Sequence, residues 1–362
     1  MKALLLGDFS PVPQNHFLFE SGDIRTLFTD TLSLFENKDF SIVNLECALT
    51  EKDGPIKKFG PNLYAPRACA RVLKEIGVEY AGLSNNHIFD FGIKGVRDTM
   101  KALDEEGIAY TGFGKDYEDA RRNLTIEKNG ERICVITVCE HEYSYALPDR
   151  MGSRPFDEYD TIEDIRAAKA ECDRVIVMYH GGKEQCKYPS PRLVRVGRAM
   201  ARSGADVVLF QHSHCIGCYE EYQGCHILYG QGNYHFICDE AVPPDGWNSL
   251  LAVTYDTVTD EITFTPIVNT ELGITLAKGE EKAEIMRAFD ERNRTMVSGE
   301  WRNHWHEFCD SVRELYRGVV KNAFVEGASQ TRNDLFGHFL DCEAHTDVWR
   351  ELFPTYNLTN EK

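Results

Sequence analysis

Side chains that can bind metal ions follow five short apolar runs of the sequence. The five positions are Gly7-Asp8, Asn44-Leu45-Glu46, Ser84-Asn85-Asn86-His87, His180-Gly181-Gly182 and Gln211-His212-Ser213-His214. Apolar runs of this length are typical of buried strands, and ligands of open α/β sheets bind just beyond the carboxyl ends of strands. Two carboxylates, an amide and several imidazoles are therefore predicted to meet at one edge of the fold. That mixture of oxygen and nitrogen donors suits Mn²⁺, Zn²⁺ or iron.

Each of these groups by itself also has an ordinary structural explanation. Gly7-Asp8 is compatible with a turn, Glu46 with a helix cap or a pairing with lysine, and His180 with a hydrogen-bonded core histidine. The occurrence of all five in the same register with five strands is harder to explain in this way. We therefore favour a metal site.

The segment from Asn85 to Asp90 carries the groups of a general acid. Asn86 offers a carbonyl oxygen to a metal ion, and His87 follows it, so the imidazole can point towards a leaving group instead. Asp90, three residues on, could hold that imidazole in one tautomer and raise its pKa, as a general acid requires. The alternative is an Asn-rich turn with Asp90 as a helix N-cap.

The elements that would position these groups alternate between strand and helix. Apolar runs predict strands, and stretches of helical period between them predict helices, which together indicate a parallel sheet covered by helices. The predicted strands are Ala3–Leu6, Ser41–Leu45, Tyr80–Leu83, Ile133–Val138, Val175–Tyr179 and Val207–Phe210, and the predicted helices are Ile24–Phe35, Arg67–Ile76, Gly95–Glu106, Ile162–Ala170 and Arg192–Arg202.

The alternation of predicted strands and helices ends at about Cys225. His226–Tyr229, Leu250–Tyr255 and Ile262–Ile267 are predicted to form an antiparallel meander, because no helical stretch separates them. Glu281–Arg294, Trp301–Phe324 and Asp334–Leu340 are predicted to be helices. We therefore expect one domain over residues 1–270 and a helical extension over residues 271–362 packed on it. The aromatic part of the extension favours helix packing, with a cover over the site or a homodimer contact as alternatives.

The composition excludes some classes of partner. The net charge is −18 at pH 7, which argues against nucleic acid or an anionic membrane as the main partner. An anionic substrate then needs a local positive centre, which bound cations could supply. No segment reaches the roughly 18 apolar residues of a membrane span, and the run Ala3-Leu4-Leu5-Leu6 is too short for a signal peptide. We expect a cytoplasmic protein without a membrane span and with reduced cysteines, including Cys215 and Cys218.

As a set, these motifs resemble the CapA-type capsule-synthesis (poly-γ-glutamate biosynthesis) family, a branch of the calcineurin-like metallophosphoesterase superfamily. The resemblance runs from Gly7 to about Phe236. It also includes Gly92, His180-Gly181-Gly182-Lys183-Glu184, Gly204-Ala205-Asp206 and Gly230-Gln231-Gly232-Asn233-Tyr234. It implies an α/β fold of four layers, an α-β-β-α sandwich, with the C-terminal helices as an appendage.

The resemblance also implies a site for two divalent ions, with Mn, Zn or Fe as the candidates. Glu46 stands at the position of the carboxylate that bridges them. Asp8 and His214 would serve the first ion, and Asn86, His180 and His212 the second, while His87, oriented by Asp90, would protonate the leaving alkoxide. The first strand ends Asp8-Phe9-Ser10 where the superfamily has Asp-x-His, and Glu46 replaces an aspartate. A site for a single ion is therefore an alternative.

Four further residues are candidates for substrate contacts. Lys183 could meet an anionic group, and Glu184 could orient the substrate or a water on the metal, although a solvated loop explains both equally well. Asn233 lies in a glycine-rich segment that would let backbone approach a ligand, or form only a tight turn. Ser10 is a weaker anion-binding candidate, as are Lys57, Lys58 and Arg67.

The function that these expectations favour is a metal-dependent hydrolase of the CapA and metallophosphoesterase type. Its substrate would be a small phosphoester or an envelope- or capsule-polymer precursor, attacked by water activated on the metal ions. One alternative is an amide- or glycan-directed hydrolase or transferase in poly-γ-glutamate or capsule biosynthesis. Another is a non-catalytic metal-binding component of a polymer-synthesis complex.

Overall fold

Two large β-sheets run through the computed structural model, which describes residues 1–140, 143–238 and 243–354. The strands of these residues are, in chain order, β1 (Lys2–Phe9), β2 (Phe40–Leu45), β3 (Ala48–Leu49), β4 (Tyr64–Ala65), β5 (Tyr80–Gly82), β6 (Ala109–Thr111), β7 (Phe113–Gly114), β8 (Leu124–Lys128), β9 (Glu131–Cys139), β10 (Gly152–Ser153), β11 (Arg174–His180), β12 (Val207–Gln211), β13 (Tyr219–Tyr222), β14 (Cys225–Leu228), β15 (Ser249–Asp256), β16 (Glu261–Asn269) and β17 (Ile274–Leu276).

The helices begin and end at residues that suit helix termini. They are α1 (His16–Ser21), α2 (Ile24–Phe28), α3 (Ala68–Ile76), α4 (Gly92–Glu106), α5 (Tyr117–Ala120), α6 (Glu158–Glu171), α7 (Pro191–Ser203), α8 (Gly279–Ser298), α9 (Trp301–Ser311), α10 (Arg313–Ala323), α11 (Gln330–Asp341) and α12 (Glu343–Leu352), with 3₁₀ turns at Pro13–Asn15 and Thr29–Phe35. In α7, for example, the hydroxyl of Ser190 accepts from the backbone N–H of Leu193, Pro191 is the first helical residue, and Gly204 ends the helix in a left-handed conformation.

The first sheet has the strand order β17-β16-β15-β1-β2-β5-β6, and the second has the order β13-β14-β12-β11-β9-β8. In the first sheet, β1, β2, β5 and β6 are parallel, while β15 pairs antiparallel with β1. In the second, β9, β11, β12 and β14 are parallel. The parallel strands of each sheet therefore end at a common edge, where ligand-binding groups can gather.

The alternation of side chains along the central strands sets up four layers. Leu4 and Leu6 of β1 pack in a core with α3 and α4, whereas Leu5 packs in a second core against strands of the other sheet. In the second sheet, Ile176 faces that shared core, and Val177 packs in a third core with α6 and α7. The fold is thus an α-β-β-α sandwich, which confirms the expected fold class.

The predicted meander is partly wrong. β15, β16 and β17 are antiparallel neighbours in the first sheet. The predicted strand His226–Tyr229 instead belongs to the second sheet, where β14 pairs parallel with β12. The cause is burial on both faces: Ile227 packs towards α7, and Leu228 packs between the sheets. A strand buried in this way fits a parallel sheet, and the sequence contains no signal for the crossover between the sheets.

The C-terminal helices also differ in detail from the prediction. The predicted helix Trp301–Phe324 is divided at Val312 into α9 and α10, and α12 was not expected. The predicted helix Ile24–Phe35 is a single short helix, α2, followed by a 3₁₀ turn. No helix among the described residues is both long enough and apolar enough to cross a membrane.

Candidate metal centre

The six residues predicted to bind metal lie at the carboxyl ends of parallel strands from both sheets. Asp8 is near the end of β1, Glu46 directly follows β2, and Asn86 comes after β5, all in the first sheet. From the second sheet, His180 is the last residue of β11, and His212 and His214 follow β12. All six side chains are buried. The site therefore forms where the ends of the two sheets meet.

Contacts between the two sheets hold these side chains close enough to one another to bind the same metal ion. The Nε2 atom of His180 lies 2.9 Å from Oδ1 of Asn86, 3.2 Å from Nδ1 of His212 and 3.2 Å from Oε1 of Glu46. The Nδ1 atom of His180 lies 3.5 Å from Oδ1 of Asp8. His180 is thus at the centre of the cluster.

Glu46 is the residue whose surroundings most need a cation. Its side chain has no solvent exposure, and among the described residues neither carboxylate oxygen has a partner in hydrogen-bond geometry, although Nε2 of His180 lies 3.2 Å from Oε1. Buried carboxylates without donors are costly unless a cation compensates them. Glu46 also belongs to both sets of potential ligands, Glu46 with His212 and His214, and Asp8 with Glu46 and His180, in each of which the ligand atoms lie within 4.8 Å of one another.

These two sets group the side chains differently from the division implied by the family resemblance. In the structure His212 is grouped with His214, and Asp8 with His180. Asp8 nevertheless contacts both sets, because its Oδ2 atom lies 3.7 Å from Nδ1 of His214. In the structure, as in the division implied by the family resemblance, Glu46 is common to both groups of ligands. The donor set of carboxylates and imidazoles fits one or two divalent ions of the Mn, Fe or Zn kind.

Asn44 is a member of the site to which the sequence analysis gave no role of its own, although it quoted the segment Asn44-Leu45-Glu46. Its amide Nδ2 donates to Oδ1 of Asp8 at 2.7 Å and lies 3.0 Å from Nδ1 of His180, and its Oδ1 accepts from Asn85 at 3.1 Å. Asn44 therefore orients groups from both sheets. A polar residue inside the otherwise apolar strand β2 was the available signal.

The charges of the cluster shift the pKa values of its members. Burial raises the pKa of Asp8, but hydrogen bonding and charge from His180, with help from His214 and Asn44, lower it to about 2. Burial lowers the pKa of His180, but Glu46 and Asp8 raise it to about 10. Burial and the neighbouring charge of His180 hold the pKa of His212 well below its usual value. The two carboxylates therefore attract positive charge into the site.

The backbone around His212 and His214 is held in an unfavourable conformation. Both residues have positive φ angles, 80° and 55°, which non-glycine residues seldom adopt. Such strain is commonly found at functional sites, where the surrounding structure maintains it. Here the backbone N–H of His212 donates to Oδ2 of Asp8 at 2.9 Å, and Nδ1 of His214 lies 2.8 Å from Oδ1 of Asn233.

The glycine-rich segment before Asn233 has a structural role between the sheets. A Cβ atom on Gly7 would lie 2.2 Å from the carbonyl oxygen of Gly232, so only glycine fits at position 7. The backbone N–H of Tyr234 donates to the carbonyl of Asp8 at 2.6 Å. The glycine-rich segment was expected to let backbone approach a ligand closely. In the structure its backbone instead approaches strand β1.

His87 and Asp90 lie together beside this cluster. The Nδ1 atom of His87 is 2.7 Å from Oδ2 of Asp90, and Lys58 Nζ lies 2.6 Å from Oδ1 of the same carboxylate. Helix α4 is capped at Phe91, so Asp90 is not its N-cap. Burial and Lys58 lower the pKa of His87 and outweigh the opposing effect of Asp90. The expected rise in the pKa of His87 is therefore wrong.

Lys58 was only a minor anion-binding candidate in the sequence, yet its side chain is almost fully buried next to His87. Its Nζ atom lies 3.1 Å from Nδ1 of His87. No periodicity marks Lys58, because it lies in the irregular segment between β3 and β4. The other minor candidates pair elsewhere, Lys57 with Asp334 at 3.5 Å and Arg67 with Glu105 at 3.0 Å.

The four predicted substrate-contact residues have different surroundings. Lys183 and Glu184 line a cleft of about 440 Å³ that Asn86 and His87 also line. Asn233 is buried against His214, which suits orientation of that imidazole. Ser10 is buried, and its backbone N–H donates to the carbonyl of His235 at 3.3 Å. The structure thus brings Lys183 and Glu184 to the open side of the site and leaves Asn233 and Ser10 inside the fold.

A sequence model of a bacterial protein family, described as "Bacterial capsule synthesis protein PGA_cap", matches residues 2–239. The chain belongs to this capsule synthesis family. The match includes every predicted metal ligand and both His87 and Asp90, and it confirms the resemblance drawn from the sequence motifs. Helices α8 to α12 lie outside the matched segment.

Members of the family with related sequences include capsule biosynthesis protein CapA of Bacillus anthracis, 28% identical over 58% of this chain and 53% of the relative. PGA biosynthesis protein CapA of Bacillus subtilis is 28% identical over 65% of this chain and 63% of its own length. A probable polyglutamine synthesis accessory protein of Mycobacterium tuberculosis is 30% identical over 66% and 67%, respectively. The chain thus matches about half to two thirds of the length of these relatives.

Solved structures with a similar arrangement have low sequence identity. A hypothetical protein from Thermus thermophilus aligns with a TM-score of 0.41 and 15% identity, covering 76% of this chain and 98% of its own. A putative 5'-nucleotidase from Staphylococcus aureus aligns with a TM-score of 0.43 and 13% identity, covering 80% of this chain and 58% of its own.

Proposed function

We propose that this protein is a metal-dependent hydrolase that cleaves a phosphoester, on a small molecule or on a precursor of a capsule or envelope polymer. The observation that carries the proposal is the environment of Glu46. Both of its oxygens are buried without a partner in hydrogen-bond geometry among the described residues, and histidines of the second sheet lie close to them, with Nε2 of His180 3.2 Å from Oε1. A cation shared by these groups would remove the cost of burying that carboxylate.

The residues of the site would have three roles: binding the metal ions, orienting the ligands and positioning the substrate. Glu46 would bridge two ions, with Asp8, Asn86, His180, His212 and His214 as the remaining ligands. When bound, the ions would polarise the ester and lower the pKa of water enough to make it a nucleophile at neutral pH. Asn44 would orient Asp8 and His180, as its hydrogen bonds indicate. Lys183 and Glu184, on the open side of the cleft, would position the substrate.

His87 would move the proton of the leaving group. Its Nδ1 atom is held by Asp90, and the residue lines the cleft. Because burial and Lys58 lower the pKa of His87, Nε2 would carry the proton for the leaving group only once the negative charge of a bound phosphoester raises that pKa again. Lys58 contacts both His87 and Asp90 and would keep the carboxylate from turning towards the metal ligands. The chain therefore offers separate groups for holding the ions and for handling the proton.

The first experiment compares the metal content and the phosphoesterase activity of the wild type and Glu46→Gln. After reconstitution with Mn²⁺, we expect about two equivalents of metal in the wild type, if Glu46 bridges the ions, and a large loss in the variant. The measurement is mass-spectrometric metal quantification together with release of inorganic phosphate from an alkyl phosphate. The matched control is Glu271→Gln, which changes an exposed glutamate in the same way.

The outcomes separate the alternatives. Metal binding that depends on Glu46, with phosphate release that is lost in the variant, would support the proposal. One equivalent of metal would call for a mechanism with a single ion. Metal binding without phosphate release would contradict phosphoester hydrolysis.

A second candidate is hydrolysis or transfer at an amide of a γ-glutamyl chain by the same site. The observation in its favour is that a related protein is named for PGA biosynthesis and another as a polyglutamine synthesis accessory protein. A γ-glutamyl oligomer incubated with the metal-loaded protein and examined for shortened or elongated products would test it.

A further inference from the structure

The cleft beside the metal centre has one polar wall and one apolar wall. On one side it is lined by polar residues of the family-matched region, including Lys58, Asn86, His87, Lys183 and Glu184. On the other side it is lined by the C-terminal helices. The residues of this apolar wall are Phe308, Val312, Leu315, Tyr316, Leu335 and Phe339. The wall therefore belongs to a part of the chain outside the family match.

The polar atoms of the apolar wall are already satisfied within it. The hydroxyl of Tyr316 lies 2.6 Å from Nδ1 of His345, and the imidazole of His345 stacks on Phe339 with ring centroids 3.8 Å apart. Burial holds the pKa of His345 at about 2, so this histidine adds no positive charge. Leu315, at the edge of the cleft, is 57% exposed. Tyr316 and Phe339 are themselves buried, so the surface that the wall offers to a ligand comes from Phe308, Val312, Leu315 and Leu335, with His338 and His345 beside them.

The apolar wall is fixed in place relative to the metal centre. Asp347 of α12 accepts from Arg192 of α7 at 2.9 Å and from Ser190 at 2.6 Å. Arg192 also donates to Glu140 at 2.6 Å, and the other oxygen of Glu140 accepts from the backbone N–H of Gly182, two residues after His180. This buried network connects the helices to the loop that carries a predicted metal ligand. The two walls therefore form one cleft of stable shape.

We propose that the apolar wall binds the non-reacting part of the substrate, and that this part is a compact apolar or aromatic group. This inference rests on the proposed phosphoester hydrolysis at the metal centre. The anionic ester would lie against Lys183 and the metal ligands, while the apolar group contacts Phe308, Leu315 and their neighbours. A cleft of about 440 Å³ suits a small molecule of this kind. An extended polyanion would lose its hydration against this wall without gaining partners.

The test uses two esters of matched reactivity, 2-phenylethyl phosphate and glycerol 1-phosphate. Both have primary alkoxide leaving groups, so a difference in kcat/KM reports contacts with the rest of the molecule. We expect the metal-loaded protein to prefer the phenylethyl ester by at least about tenfold, a ratio typical of a small apolar contact. Calorimetric titration of the non-hydrolysable 2-phenylethylphosphonate and methylphosphonate provides a second readout, with the same order of affinity expected.

Leu315→Ser tests the wall itself. We expect it to lower kcat/KM for the phenylethyl ester about threefold or more relative to that for glycerol phosphate, and to weaken 2-phenylethylphosphonate binding. Val297→Ser is the matched control, because Val297 is 90% exposed on α8 and does not line the cleft. Exposed side chains are unimportant for folding, so both variants should remain folded.

The two proposals fail in different ways. If both esters are hydrolysed with equal efficiency, and Leu315→Ser behaves like Val297→Ser, the apolar subsite is overturned while phosphoester hydrolysis stands. If neither ester is hydrolysed but the phenylethylphosphonate binds more tightly and Leu315→Ser weakens it, hydrolysis fails and the subsite is supported.

Discussion

Asp90 links the two buried bases at the edge of the metal centre. One of its oxygens contacts Lys58, and the other contacts His87 and accepts from the backbone N–H of Leu63 at 2.6 Å. A carboxylate with this many partners has little freedom to turn. The imidazole of His87 is therefore fixed by a residue that does not belong to either potential metal-binding set.

At the residue scale, this arrangement predicts the behaviour of His87→Ala. If His87 protonates the leaving group, the variant should slow an alkyl phosphate by about 10²- to 10⁴-fold, and an aryl phosphate with a better leaving group much less. Metal content should be retained. Steady-state rates with both esters and metal quantification would check this. A loss of metal in His87→Ala, with none in His306→Ala at an exposed position, would contradict the assignment.

A second prediction at this scale concerns His235, which packs against Phe9, Phe19 and Phe28 with ring centroids 5.1 to 5.9 Å apart. Burial lowers its pKa to about 4. The unfolded chain binds a proton below about pH 6.5, but the folded protein does not until about pH 4, so stability falls as the pH is lowered through this window.

His235→Phe should remove that part of the acid sensitivity. Between pH 7.5 and pH 4, the free energy of unfolding of the wild type should fall by up to about 3 kcal/mol more than that of the variant. Urea unfolding at several pH values measures the difference. Val297→Phe introduces the same side chain at an exposed position without a titratable group, and it should leave the pH dependence of the wild type unchanged.

At the scale of the elements, the attachment of α12 depends on one buried carboxylate. Asp347 is buried and bonds to Arg192 and Ser190 at the start of α7. This link joins α12, which the sequence did not predict, to α7, which it did. The contact gives the C-terminal helices a defined position over the cleft.

Asp347→Ala should therefore destabilise the fold by about 1 to 3 kcal/mol, because it leaves Nε of Arg192 and the hydroxyl of Ser190 buried without their acceptor, while Arg192 keeps its bond to Glu140. Amide hydrogen exchange in α12 should increase with it. Chemical denaturation and exchange mass spectrometry provide the two measurements. Glu314→Ala removes an exposed carboxylate that pairs with Arg317, and it should cost less than about 1 kcal/mol. Equal effects of the two variants would contradict the role of Asp347.

At the scale of the whole molecule, the metal centre joins two sheets that otherwise meet through apolar contacts. Asp8 and Glu46 come from the first sheet, and three histidines come from the second. An ion that binds this set can bind only when both sheets are assembled. Metal binding and folding are therefore coupled.

We accordingly expect Mn²⁺ or Zn²⁺ to raise Tm. At a free concentration about 100 times Kd, each bound ion should add about 2.7 kcal/mol to the free energy of unfolding. Scanning calorimetry of the metal-free and metal-loaded protein measures the shift. Glu46→Gln should abolish most of it, and Glu271→Gln should retain it. A Tm that does not respond to metal in the wild type would contradict a site shared between the sheets.

Much of the candidate site could be read from the sequence because its residues follow strands directly. Asp8, Glu46, Asn86 and His180 are each next to an apolar run, and parallel strands bring their carboxyl ends to one edge. The assignment of β14 to a meander failed because local pattern does not distinguish which of two sheets an apolar strand joins. The pKa of His87 was misjudged because its burial and the approach of Lys58, which lower that pKa, both come from segments distant in sequence.

The sequence by itself determined which side chains could bind metal and the alternation of strands with covering helices, because these depend on residue type and on periodicity. The resemblance of its motifs to a known family then implied the four layers of the fold. Only the tertiary structure decided that Glu46 is buried without a partner in hydrogen-bond geometry among the residues the structure describes, that Asn44 bridges Asp8 and His180, and that the C-terminal helices supply an apolar wall. Those features arise where segments far apart in the chain come together. Local patterns of hydrophobicity carry no information about the distances between such segments.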